Sequence, residues 1–486
     1  MKKWLSMILC LILLVSILPM ASAEDKVTVR MNTCIVFSDL RDREKVEARL
    51  DELLEAKGYS FKVEIVPFDY GNYSNLVKLA VADGSVDLFN MFGAMSLAAG
   101  ADSEAIACLD DLLEEYGKET RELISPYIST VMVDGKVYGT PAIKSISKRN
   151  CFRYNKEWAD KAGFVPENVV DYDTLTQEML KVKKAYPDKA MISTGYGGKW
   201  FWPNMDTLGS DNYYACIILD DNAEPKIVNY YETDLFKKDL EMARVWADNG
   251  FFVKDAINGQ NATQALFGEE VSFGTFSDDI SPEFVLMTGS GSYNFPLGCV
   301  TAEKEPWATT TMAAGFTWCI TEKSQHKAEA MQLLNLLYTD SDVANLIING
   351  IEGEHYILQE EGNFVYPEGV TMTNVGWASP PGFMPNSWIA APQAPNLPEL
   401  YDMYKESNET CRKSPAFGFS FNTVEVEDQI AGCNNVCDKY LGTLMLGMGD
   451  DAMLAQFQEE LKNNGVDDII AEKQAQLDAW LAVMNP

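Results

Sequence analysis

Apolar and polar residues alternate from Val27 to Met31, and again at Phe61, Val63 and Ile65; each run precedes a segment whose apolar residues recur at helical spacing. After the first run, Val46, Leu50, Leu53 and Leu54 form one stripe of a helix that opens at Asp39, and Gly58 closes it as a glycine does where the chain turns left-handed. After the second, Tyr73 to Ala82 is a helix, Asp83-Gly84 a turn, and Val86 to Phe92 a third strand. Alternation of strand and helix predicts a parallel sheet. Ligands bind beyond the carboxyl ends of such strands, which places Phe68 to Asn72, including Tyr70, and Asn90 to Gly93, including Phe92, beside a crevice.

Further along, Asp134-Gly135 marks a hairpin, followed by a short strand from Val137 to Thr140 that Pro141 stops. A strand from Cys151 to Asn155 leads into a helix ending at Gly163, and helices recur at Leu175 to Lys184 and Leu235 to Ala247, as in a second α/β lobe. Gly315 to Thr321 returns to strand pattern, and His326 to Tyr338 is amphipathic, with Met331, Leu334 and Leu337 on one side. Six prolines between Ser379 and Pro398 forbid regular structure there and predict an extended loop. Two helices, Asp451 to Asn463 and Asp467 to Met484, end the chain.

With 486 residues, 47% hydrophobic and 23% charged, the chain is folded and too long for one core. A formal net charge of −33 repels phosphate backbones and anionic lipid, and no basic run offsets it, so nucleic-acid and membrane-surface roles are set aside. Lys2 and Lys3, the apolar run Trp4 to Leu18 and the small residues Ala21-Ser22-Ala23 predict a cleaved export signal over residues 1–23. Cys10 follows Met7-Ile8-Leu9 within the apolar run, which does not support lipid anchoring, so the protein is expected to be periplasmic or cell-surface associated. Removing Cys10 from the 10 cysteines leaves an odd number, mostly isolated, so disulfides are not the framework. Cys433 and Cys437 share a helix face, but His326 and His355 are the sole imidazoles, and no metal site or cofactor is expected.

Catalytic signals are weak. Gly447-Met448-Gly449 lacks the preceding strand of a dinucleotide site, and in the Gly195-to-Lys199 run Trp200 occupies the position of a phosphate-loop hydroxyl. Asp278-Asp279 supplies the paired carboxylates a glycosidase uses, but 72 acidic residues make such adjacency common. The aromatic loops are more informative: Trp200, Trp202, Trp377 and Trp388 lie outside any periodic stripe, where flat rings suit sugar faces, with Asp278 and Asn90 as polar partners.

Taken together, the run Asp134-Gly135-Lys136-Val137-Tyr138-Gly139-Thr140-Pro141, the strand Tyr154-Asn155-Lys156 and Lys161-Ala162-Gly163 resemble the extracellular solute-binding proteins of ABC importers, of the maltodextrin-binding type. The chain's end, through Gly418-Phe419-Ser420-Phe421, Gln429-Ile430-Ala431 and Gln476-Leu477-Asp478-Ala479-Trp480, resembles one subgroup in particular, with Asn422 departing from its pattern. The resemblance implies a type II, two-lobed α/β periplasmic-binding-protein-like fold with discontinuous lobes closing on a solute, the glycine-proline strand being a hinge crossing. It divides the chain into lobe 1, residues 24–142 and 295–350, and lobe 2, residues 143–294 and 351–486. It further implies a protein that delivers a carbohydrate to membrane permease subunits; the absence of an assembled catalytic motif predicts no enzymatic activity, and a monomer is expected. A polyamine or cationic peptide is the alternative solute, and a secreted glycoside hydrolase a more distant reading.

Overall fold

The computed structural model describes residues 26–36, 38–193, 204–209, 212–254, 256–257, 263–289, 292–303 and 305–484. Its first sheet has five strands, in the order Phe61–Asp69, Val27–Ile35, Leu88–Asn90, Thr317–Ile320 and Thr140–Pro141. The first three are parallel and the other two antiparallel to their neighbours. Helices Arg43–Ala56, Tyr73–Asp83, Lys327–Thr339 and Ser341–Asn349 bury their apolar faces, including Leu50, Val77, Leu334 and Ile347, in one core with the strands. The expected alternation is therefore present. The helix expected from Asp39 starts at Arg43, because Leu40, at φ 53°, breaks the backbone before it.

The second sheet is organised on one long strand, Ser147–Asn155. It pairs antiparallel with Ser272–Asp279, Leu297–Val300 and Trp307–Ala308. The motif at its end has a local cause: the Asn155 side chain accepts hydrogen bonds from the Glu157 and Trp158 amides, capping helix Lys156–Ala162, and Gly163 at φ 74° terminates that helix. A separate core joins Leu208 and residues 212–240 to the C-terminal helices Glu427–Met445, Asp451–Asn463 and Val466–Met484 through Tyr214, Phe236, Cys433, Phe457 and Leu477. Lys473, fully buried, donates to the Thr207 and Ala215 carbonyls at 3.0 and 2.9 Å and pins the last helix to that core.

Among the described residues, three segments cross between the two halves. The first leaves the Thr140–Pro141 strand and enters Ser147–Asn155. Glycine is required at its start, since a Cβ on Gly139 would collide with the Thr317 methyl. The second leaves Trp307–Ala308 and reaches Thr317–Ile320 through helix Thr310–Ala314. The third runs from Ala390, in the first core, to Leu400, which packs on Ile280 and Phe284.

Two lobe boundaries move from their expected places. Leu297–Val300 and Trp307–Ala308 belong to the second sheet, not to lobe 1, because their backbones pair with Ser147–Asn155. Val375 to Ala390 was expected in lobe 2, yet Trp377, Phe383, Met384 and Ala390 fill the first core. That segment has no periodicity, so its burial is decided by tertiary contacts alone. No helix among the described residues is long and apolar enough to cross a membrane. The nine cysteines from Cys34 to Cys437 are free thiols.

Candidate functional site

Near the carboxyl ends of the parallel strands lies a buried amide network. Asn32 Nδ2 donates to the Tyr73 hydroxyl at 2.8 Å, and Asn32 Oδ1 accepts from the Asn90 amide at 2.9 Å. Asn90 Nδ2 donates to the Phe383 carbonyl at 3.0 Å, while Asn90 Oδ1 accepts from the Phe92 amide at 3.0 Å. At 1% exposure with its amide so engaged, Asn90 is a positioning residue and not the ligand contact expected.

What it positions is a ribbon of rings. Exposed Tyr70 stacks on Phe92 at 6.4 Å and 20°, and Phe92 on Phe316 at 4.8 Å and 15°. Phe383 meets Phe92 edge-on at 5.1 Å and lies tilted against Phe316 at 4.6 Å. The Lys144 ammonium lies 5.4 Å above the Phe316 ring, on the first crossing between the lobes. Tyr70 and Phe92, both named from the strand ends, thus stand side by side; Phe316 and Phe383 join them unannounced by sequence.

Lys144 also lines a cavity of about 410 Å³ between the halves, walled by Asn349, Ser379, Trp388, Tyr401 and Tyr404 among others. Trp388 stacks on Tyr404 at 5.9 Å and 3°, and on Tyr401 at 6.3 Å and 27°. Its backbone is fixed by the buried Asn386, whose Oδ1 accepts from the Trp388 amide at 3.1 Å and whose Nδ2 donates to the Tyr338 carbonyl at 2.8 Å. Burial among these groups lowers the Lys144 pKa to about 8, helped by the nearby Lys148 charge, and burial raises Tyr401 to about 12. Tyr401 and Tyr404, three apart, share one face of helix Glu399–Thr410 just after the proline-rich loop; that spacing was the available signal.

The remaining expectations separate. Trp377 is fully buried, packed in the first core with its indole N–H donating to the Ile347 carbonyl at 3.0 Å, so it is a core residue and no platform. Asp278 lies on the Ser272–Asp279 strand, exposed and 3.6 Å from Lys148, off the cavity wall. Its neighbour Asp279 pairs with Arg153 at 3.3 Å, although burial pushes its carboxyl above the usual range. Trp200 and Trp202 fall outside the described residues.

Asp42, Glu354 and His355 bring ligand atoms within 4.8 Å of one another. Lys45 already bridges Asp42, at 3.1 Å, and Glu354. His355 Nδ1 accepts from the Ile351 amide at 2.9 Å, leaving Nε2–H to donate to Asp42 at 3.2 Å. The cluster latches helix Arg43–Ala56 to the turn after Gly350, and an ammonium supplies the positive charge an ion would bring.

This geometry, two α/β halves joined by several crossings with an aromatic recess between them, has counterparts among known proteins. The model of bacterial extracellular solute-binding proteins matches residues 48–350. The chain belongs to that family. Residues 415–482 match a domain of unknown function, DUF3502, which here supplies the C-terminal helices of the second half. A carbohydrate ABC transporter substrate-binding protein of Streptococcus pneumoniae is 25% identical over 475 residues, 95% of this chain and 92% of that protein. The crystal structure of the N-glycan transport solute binding protein NgtS from Streptococcus pneumoniae matches with a TM-score of 0.79 at 22% identity, covering 94% of this chain and 99% of that one. The alginate-binding protein AlgQ2 without calcium ion matches with a TM-score of 0.60 at 15% identity, covering 94% and 99%. These likenesses establish the two-lobed periplasmic-binding-protein-like fold.

Proposed function

We propose that this family member is the capture component of an ABC importer, holding a carbohydrate between its lobes and passing it to the permease subunits without altering it. One observation carries the reading: the ring ribbon from Tyr70 to Phe316 runs to Lys144 and an inter-lobe cavity walled by Trp388, Tyr401 and Tyr404. Flat apolar faces beside hydroxyl and amide groups suit pyranose rings, which present one C–H face and a rim of hydroxyls. The carbohydrate ABC transporter protein of Streptococcus pneumoniae supports the same class of solute. A polyamine or cationic peptide fits less well, since no described residue of the cavity wall is a carboxylate. Export with cleavage after Ala23 and permease partnership complete the proposal, with Phe92, Tyr70 and Trp388 as ligand platforms and lobe 2 continuing from residue 399 to the C-terminus.

Thermal-shift screening of the purified protein against a glycan panel tests it. Stabilisation by a subset of oligosaccharides, with each recovered chemically intact, is expected; stabilisation by polyamines alone, or sustained product formation, overturns it.

A further inference from the structure

On the carbohydrate reading, we infer that the captured solute bears a negatively charged substituent, a sugar carboxylate, held by Lys144. Among the described residues Lys144 is the sole charged one on the cavity wall, in a chain with 72 acidic against 39 basic residues. The wall excludes the charge most abundant elsewhere on the molecule and retains the opposite one.

Apart from the Phe316 ring beneath it, that cation has little to hold it. Among the described residues its ammonium makes no ion pair, and its one hydrogen bond is a 3.4 Å donation to the adjacent Ser145 carbonyl. The fully buried Lys473 differs from the partly buried Lys144: it is committed to the Thr207 and Ala215 carbonyls, with Asp206 close enough to favour its charge. A surface lysine directs its head to bulk water. Lys144 instead lies over the Phe316 ring and against the cavity, and the lost hydration accounts for its lowered pKa. A carboxylate there restores the counter-charge and forms a charge-assisted hydrogen bond, while a neutral sugar does neither. One ammonium suits a monoanion, since the next cation, Lys148, already faces Asp278 at 3.6 Å.

The pH response follows. The titratable groups around Lys144 are Lys148 on the following strand Ser147–Asn155, Tyr366, and Tyr401 and Tyr404 on helix Glu399–Thr410, with Asp279 beyond Tyr404. Burial raises all three phenols, so they stay neutral through pH 9, and Asp279 is paired with Arg153. Affinity for an acidic solute should fall as pH rises through about 8, where Lys144 loses its proton.

Isothermal titration with paired probes tests the inference: oligosaccharides ending in glucuronate, galacturonate or N-acetylneuraminate, each against the corresponding neutral chain, at pH 7 and pH 9. The wild type should bind at least one acidic probe about tenfold or more tighter than its neutral partner at pH 7, with the advantage shrinking at pH 9. Lys144→Met should abolish the preference, and Lys144→Arg should keep it at both pH values. Neutral probes binding as well as acidic ones overturns the inference and leaves the carbohydrate reading standing. An acidic preference that survives Lys144→Met overturns the assignment to Lys144. Binding of no glycan, acidic or neutral, removes both. Should Lys144→Met melt early, the wild-type pairs and their pH dependence still separate these outcomes.

Discussion

Two tryptophans from aperiodic segments have opposite fates, and the difference is measurable. Trp388 is partly exposed on a cavity wall, stacked on tyrosines, whereas Trp377 is enclosed on all sides. Trp388→Ala should weaken glycan binding by roughly 1–3 kcal/mol, tenfold or more, with a small change in melting temperature. Trp377→Ala should instead leave a cavity costing about 3–5 kcal/mol of stability, read by denaturant unfolding. Equal loss of stability in both variants would contradict the assignment. The enclosed Lys473 gives a pH prediction. Its pKa is lowered by burial from 10.5 to about 8, so between those values the unfolded chain holds a proton the folded one has released, and stability from this group rises with pH. The stability of the wild type relative to Lys473→Met should therefore increase from pH 8 towards pH 10; a flat or falling difference would show that the ammonium is not desolvated.

The lobes' connections depend on few side chains. Asn408, buried on helix Glu399–Thr410, accepts from the Ile146 amide at 3.0 Å through Oδ1 and donates to the Lys144 carbonyl at 2.9 Å through Nδ2, tying the third crossing to the first. Asn408→Leu leaves both backbone groups unpaired, at about 1–3 kcal/mol each. Thermal melts should register that loss, and an unchanged melting temperature would mean that water replaces the amide. The sequence made the first lobe's elements legible because Val27–Ile35, Phe61–Asp69 and the helices after them alternate or repeat at fixed periods. It could not assign Val375 to Ala390, whose burial follows from one close approach: a Cβ on Gly376 would overlap the Asp42 carboxylate, and the backbone there is joined by the Asp42 amide donating to the Gly376 carbonyl at 3.1 Å. A glycine contact between segments so far apart in the chain leaves no periodic trace. Lys144 was equally hidden, since a lysine after Pro141-Ala142-Ile143 reads as a solvated loop residue until the Phe316 ring and the cavity are placed around it. Tyr70 and Phe92 were legible because the strand ends are.

At the scale of the whole molecule, the two sheets share no strand, and the three crossings with the cavity between them form a hinge. The C-terminal helices are part of the second half: Phe457, Leu461 and Leu477 enclose Tyr231 and Phe236 in one core. Deleting residues 415–486 should therefore yield insoluble or protease-sensitive protein; a soluble, cooperatively melting truncation would show that core to be dispensable. A solute that touches both halves favours the arrangement in which both sets of contacts are made, so capture and closure are one equilibrium. Small-angle X-ray scattering tests this most directly, with and without a saturating concentration of the glycan giving the largest thermal shift. The hinged-capture account predicts a smaller radius of gyration in the bound state, and an unchanged radius under demonstrated saturation would contradict it.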